Sequence, residues 1–594
     1  MSNFTNHPNT VPPDPNWSKH EKWAWSMILN GKPADFTNPE EADNSGFKLD
    51  PENGKYLALS SEFIESILTD ENFSKSISQK GVEIVGAAFD EDVDLESAFI
   101  PFQFSLENCC FSKDLNLNNL KSEWSISLSK STFKTKLHMN SIEVKNSLFM
   151  SGGAIFKEVD LRHARIGGTL DMSSSIFEGK LNMNSIRVES NLLMRGKAAF
   201  KEINLIAARI GDTLDMDGSS FEEKVDMNRI IIESSLYMRG EATFNEVELT
   251  SSRIGGQLDM SGSLFKKKID MNNIQLDNSL FIRRANALDE IELKNGGIGG
   301  QLYLSDSTFE KGLNIDTTEI FGTVSIQNSI FNSVVRLLFA KLHDTLDLSG
   351  SELSSIDLTG TSIAKELRLG SNEHTATIWK GSSIMKLRNV YAGTIQDLPD
   401  AWPEHLILDG FTYNNLGGYG SDNKFAFADR PANWMKNWLN KQSDYSPQPF
   451  HQLGKVLNGA GYKTMSRRVL FSGKKREIQE AKSFRKIGLF MSMITVGFGY
   501  YNAIALIWVA ILTTIGFFVI QGEDAMILNK YLIHSTIDKV FFSLDLLLPI
   551  IKLQGSHYEI QLTGGIKYYF YCQQIMGYIL ASFLVAGLSG ITKK

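Results

Sequence analysis

The stretch ARIGGTLDM, Ala164 to Met172, holds the residue types of a phosphate-cradling loop: an apolar residue, two glycines, then a Thr and an Asp. A Gly-rich phosphate loop is a singular device that feeds one strand into one helix. Here the motif recurs as ARIGDTLDM from Ala208, SRIGGQLDM from Ser252 and GGIGGQLYL from Gly296. Ile166, Ile210, Ile254 and Ile298 are therefore about 44 residues apart, a period that signals a solenoid rather than a nucleotide site. No G-x-S-x-G stretch is present, the ten histidines fall in no H-x-x-x-H pair, and no C-x-x-C occurs. The residue types thus point to no metal site, no cofactor and no catalytic set.

The period fixes the elements that would carry any site. Phe133, Phe177, Phe221, Phe265 and Phe309 fall in phase, as do Leu148, Leu192, Leu236, Leu280 and Val324. Pairs such as Leu170 and Met172, Leu181 and Met183, or Leu192 and Met194 put two apolar residues inward with one outward between them, which is strand geometry. Ser, Asn, Gly and Asp fill the corners. Two coils of about 22 residues make each unit, and about 13 coils at a ~4.8 Å strand spacing predict a rod roughly 60 Å long.

Charge recurs on the same lattice. Asp171, Asp215, Asp259 and Asp347 share one phase, and Asp226 and Asp270 another. Arg195, Arg239 and Arg283 form one basic column, and Arg165, Arg209 and Arg253 a second. Carboxylates two coils apart, about 9.6 Å, are too far apart for a metal ladder. The arginines are read either as solvated repeat faces or as a docking surface for a protein partner. With a net charge of −8, the chain has no global attraction for nucleic acid. Its three cysteines argue against a disulfide framework and for a reducing compartment.

The expected organisation is a polar, Pro-rich flexible or interfacial segment over 1–45, a cap over 46–83 with a helix in SSEFIESILTD, the solenoid over 84–370, a closing β/turn region over 371–431, and a cytoplasmic helical hairpin over 432–486. Trp17, Trp23 and Trp25 pack into the cap or anchor at an interface. Residues 487–594 read as a membrane domain with uncharged spans at 503–520 and 569–591, and a re-entrant or interfacial segment at 540–553. Lys474, Lys475, Arg476, Lys482, Arg485 and Lys486 before the first span place both ends on the cytoplasmic side of a bacterial inner membrane.

The texture GTLDMSSSIFEGKLNM resembles a degenerate pentapeptide-repeat protein. That resemblance implies a mainly β, right-handed four-sided β-helix, with about four extra residues per two coils bulging out near Arg195 and Arg239. The tail, with ITVGFGYYNAIALIW, FFSLDLLLPIIKL and IMGYILASFLVAGLSGI, resembles the carboxyl-terminal part of bacterial pentapeptide-like membrane proteins commonly labelled membrane-associated oxidoreductases. The family supplies no catalytic residue to carry over. The leading expectation is an inner-membrane-anchored scaffold or sensor that presents a cytoplasmic surface to an unknown protein partner. It would contact membrane lipid and is open to homo-oligomer formation. The competing expectations are an oxidoreductase and a membrane-perturbing effector triggered by the solenoid.

Overall fold

Leu170 heads a two-residue strand that pairs in parallel with Leu148–Phe149 on one side and Leu192–Leu193 on the other, so three leucines from successive coils stack in one fully buried column. The same step of 22 residues repeats along a computed structural model that describes residues 11–37, 57–370, 375–417, 430–501, 503–521, 535–548, 552–560, 562 and 564–588. Its architecture is a β-solenoid of about 15 turns followed by helices. Two all-parallel sheets build the solenoid: one runs from Ala34–Asp35 to Thr412–Leu416, the other from Leu57–Ala58 to His405–Ile407. The ladder thus continues past residue 370, through Ile378–Lys386 and Tyr391–Gln396.

The core is a set of like-on-like columns. Phe89, Phe111, Phe133, Phe156, Phe177, Phe200, Phe221, Phe244 and Phe265 stack face to face with centroids 4.5–5.2 Å apart, the spacing of the strands that carry them. Ala287 interrupts the column before Phe309 and Phe331 resume it. The expected extruded loops near Arg195 and Arg239 are reduced to doubled left-handed corners, Gly196 with Lys197 and Gly240 with Glu241. Corners with left-handed backbone fall at every eleventh residue, as at Ser141, Gly152, His163, Ser174, Ser185 and Gly196, so the added residues are spread evenly around each coil. What distinguishes alternate coils is a single-residue register shift, for example between Phe133 and Lys136.

The amino-terminal end is covered by α1 (Lys19–Leu29) and α2 (Ser61–Thr69). Ser18 and Glu21 form a reciprocal capping box on α1, and Glu21 also accepts hydrogen bonds from the Ser60 amide at 2.8 Å and hydroxyl at 2.5 Å. Burial opposes ionisation of Glu21, but these bonds outweigh it and its pKa lies below the ordinary value. Trp17 and Trp25 are buried against Phe63 and Phe73. Residues 11–37 therefore pack as part of the fold; 1–10 and 38–56 lie outside the described residues.

Residues 430–594 form a separate compact unit. In it α3 (Ala432–Asn440) precedes a hairpin of α4 (Pro447–Gly459) and α5 (Lys463–Glu480), turned at Gly461 with φ +92°. The hairpin packs closely because Gly454 faces Leu470 and Gly473 faces Phe450; a Cβ on either would lie 2.8 Å from the opposing side chain. After α6 (Ser483–Val496), three helices pack together: α7 (Ala503–Gln521), α8 (Thr536–Leu547) and α9 (Ile566–Leu588). Gly516 and Gly577 allow the close approach, the latter beneath the Leu547 carbonyl.

The membrane expectation needs correction. Among the described residues one helix, α7, is long and apolar enough to cross a membrane. The second expected span, 569–591, falls on α9 and runs beyond the described residues after 588; that helix carries Lys567, Gln573 and Gln574, and buried Gln573 donates to the Ser543 carbonyl at 3.0 Å. A multi-pass inner-membrane protein with both ends on the cytoplasmic side is not supported. The 540–553 segment is mostly α8, whose Phe542 and Leu546 pack with Ile566 and Phe570.

Candidate interaction face

The glycines of ARIGGTLDM answer to backbone crowding. A Cβ at Gly167 would lie 2.1 Å from the Lys145 carbonyl oxygen, and one at Gly211 would lie 2.2 Å from that of Glu189. Nor are their amides free for a phosphate: Gly167 donates to Val144 O and Gly168 to Asn146 O, both at 2.8 Å. Only alternate coils carry glycine here, with Lys145, Glu189 and Glu233 between, which explains a 44-residue sequence period on a 22-residue coil.

The charged columns resolve into groups with different partners. Asp226, Glu248, Asp270 and Glu292 stand on four successive coils of the second sheet. Lys224 bridges the first two, at 3.2 and 2.8 Å, and Lys268 the second two, at 3.2 and 2.9 Å. Burial opposes ionisation of Glu292, yet bonds from Lys294, Lys268 and Asn272 hold its pKa at about 2. Among the described residues no group of three or more His, Cys, Asp or Glu could hold a metal ion. Cys109 is buried and its thiol is pushed up to about 12, so it is not a poised nucleophile.

Three of the six candidate arginines form ion pairs inside the solenoid. Arg195 meets Asp215 at 3.0 Å and Arg253 meets Asp277 at 3.0 Å. Arg239 meets Asp217 at 2.7 Å and lies 4.0 Å over the Tyr237 ring, and its hydrogen bonds to Asp217 raise its pKa further. Arg283 lies 4.6 Å over the Phe281 ring. Arg165 and Arg209 are different. Strand register places Arg187 between them on the intervening coil, so three exposed guanidinium groups stand on consecutive strands of the first sheet. None of the three forms an ion pair among the described residues, in contrast to Arg195, Arg239 and Arg253. Arg187 escapes a 44-residue reading because it sits on the odd coil; the 22-residue coil length was the signal that could have found it. Exposed Arg229 extends the patch one coil further, and Glu189 lies two residues from Arg187 on the same strand segment.

Exposed aromatics lie on that sheet and at a corner leading into it. Phe99 holds the ladder position of Lys121, and Phe321 stacks on His343 at 4.4 Å. Phe339, 62% exposed, adopts a left-handed corner (φ 55°), where neighbouring coils place Asn, Thr or Gly. A bulky residue in that region is disfavoured, and the cost here presents a phenyl ring to solvent.

This arrangement defines a repeat solenoid that presents a basic strip with no ion pair among the described residues. Residues 63–180 and 168–268 match a family model described as BspA type leucine rich repeat region, in six copies. No curated protein and no solved structure gives a match. The similarity is therefore to leucine-rich repeats, and the pentapeptide-repeat resemblance does not stand. The coil length agrees, since leucine-rich repeats run about 20–29 residues and four pentapeptides would close at about 20. The oxidoreductase label carried by the pentapeptide-like look-alikes has no support.

Proposed function

We propose that the solenoid is a protein-interaction scaffold whose docking face is the first sheet, centred on Arg165, Arg187 and Arg209. Leucine-rich-repeat-like solenoids are interaction domains in general, and the observation that supports this face is the three-coil guanidinium column without ion pairs, in contrast to Arg195 and Arg239, which are internally neutralised. Arg and exposed aromatic side chains are the types that dominate binding energy at interfaces. We infer also that each coil is four-sided, with two short strands per sheet such as 143–144 and 148–149 against 132–133 and 137–138, which makes the docking face flat. The test compares partner recovery, by quantitative mass spectrometry, for the wild type, R165A/R187A/R209A and R195A/R239A. Loss of partners in the first variant and their retention in the second supports the face; equal recovery by all three refutes it.

The exposed side chains Leu506, Ile507, Ile511, Ile515 and Phe518 support a second element, lipid contact through α7 alone. Flotation with phosphatidylcholine vesicles tests it: L506S/I511S/F518S abolishes co-flotation if α7 is the anchor, and unchanged flotation excludes it.

A further inference from the structure

The spacing of the basic column selects the shape of what binds it. Resting on the docking face above, we propose that its occupant is an acidic α-helix of a partner protein, lying along the solenoid axis with carboxylates at i, i+4 and i+7. Arg165, Arg187 and Arg209 are directly registered on adjacent parallel strands, so their Cα atoms are about 4.8 Å apart and span about 9.6 Å. Carboxylates on one helix face recur about every 5.4 Å, and i to i+7 covers about 10.5 Å. In an extended strand, same-face residues recur about every 6.8 Å, so three of them span about 13.6 Å and fall out of step with the column. The ladder continues as Ile231 and then Arg253, whose guanidinium is turned to Asp277, so the unpaired column ends after three coils, or about two helical turns.

The surroundings fit such an occupant. Arg162, bonded to Asp160 at 2.7 Å, and exposed Arg229 flank the column at the corner side. Gly167 and Gly211, two residues beyond Arg165 and Arg209, add no side chain to that line, their backbone being packed against the Lys145 and Glu189 carbonyls. Glu189 is the one carboxylate between these glycines on that line of the sheet, which ends at Glu233; on the arginine line itself Glu143 stands in register with Arg165 and is paired with Lys121 at 3.6 Å, which limits the basic strip to the length stated. Guanidinium groups make paired bonds to carboxylates, and three stacked with no ion pair of their own among the described residues repel one another until an anion intervenes.

The experiment uses the full chain and two labelled, end-capped helical peptides of identical composition: one with Glu at i, i+4 and i+7, the other with the same three Glu distributed around the helix. Fluorescence anisotropy is read at about 0.05 and 0.3 M salt. The aligned peptide is expected to bind at least about tenfold tighter than the dispersed one, to lose that advantage in R165A/R187A/R209A, to keep it in R195A/R239A, and to weaken as salt rises. Equal binding of both peptides, abolished by the triple variant, overturns the helix while the docking face stands. Binding that ignores the triple variant overturns the face as well. Tighter binding of a duplex DNA of the same length than of the aligned peptide overturns the acidic helix in favour of a phosphate backbone.

Discussion

Replacing Phe221 by Ala probes the principle that holds the solenoid together. The ring is 2% exposed and stacked between Phe200 at 5.2 Å and Phe244 at 4.6 Å. Removing it costs the transfer energy of the ring plus the cavity left behind, about 3–5 kcal/mol for a buried Phe. Each lost stacking contact is worth about 0.5–1.5 kcal/mol beyond burial and is partly contained in that figure. Relaxation is restricted because backbone ladders on both sides hold the coil spacing. Each coil touches only its neighbours, so the loss is local before it is global. Hydrogen exchange should show amide protection falling in Ala199–Asn204, Ser220–Asp226 and Thr243–Glu248 while coils near Phe111 are unchanged, and urea unfolding should show the midpoint reduced. A cost below about 1 kcal/mol, or a uniform loss of protection from end to end, would refute the column as the source of stability.

Four further outcomes follow from single sites. Gly211→Ala puts a Cβ 2.2 Å from the Glu189 carbonyl and should destabilise by about 1–3 kcal/mol in thermal melts, whereas Gly153→Ala meets no atom within 4 Å and is strained only by its left-handed φ of 90°. Arg239→Ala removes the partner of Asp217 and should cost about 1 kcal/mol, while Arg209→Ala should stay within about 0.5 kcal/mol; equal costs would show that the unpaired column is structural. Because the pKa of Glu292 is depressed to about 2 from an ordinary 4.5, its contribution is fully present above pH 4.5 and is lost as pH falls toward 2. Glu292→Gln should therefore flatten the decline in urea midpoint between pH 5 and 3. Phe339→Asn relieves a left-handed corner and should leave stability unchanged or raised by up to about 1 kcal/mol, measured by calorimetry; a clear loss would mean that the exposed ring packs for stability.

The sequence by itself determined the repeat, the strand geometry and the inward columns, because period-2 pairs recurring at a fixed interval leave no other way to bury Leu, Met and Phe together. It also showed that ARIGGTLDM is architecture, since a repeated loop is not a singular site. It could not show where in each coil the added residues go: the left-handed corners at every eleventh residue depend on backbone conformations that Ser, Asn, Lys, His and Gly all adopt here. Trp17 and Trp25 were ambiguous for a similar reason, as buried and interfacial tryptophans look alike until Phe63 and Phe73 are seen against them. Hydropathy alone likewise gave α9 the text of a span, while Gln573 held to Ser543 is a contact between helices distant in sequence. Which arginines are free was decided only by tertiary structure. Arg165 and Arg195 look equivalent as repeat positions, but charge is neutralised through space. The register of adjacent coils gives Arg195 a carboxylate at 3.0 Å and sets Arg165 between Arg187 and a Glu143 that is bridged to Lys121.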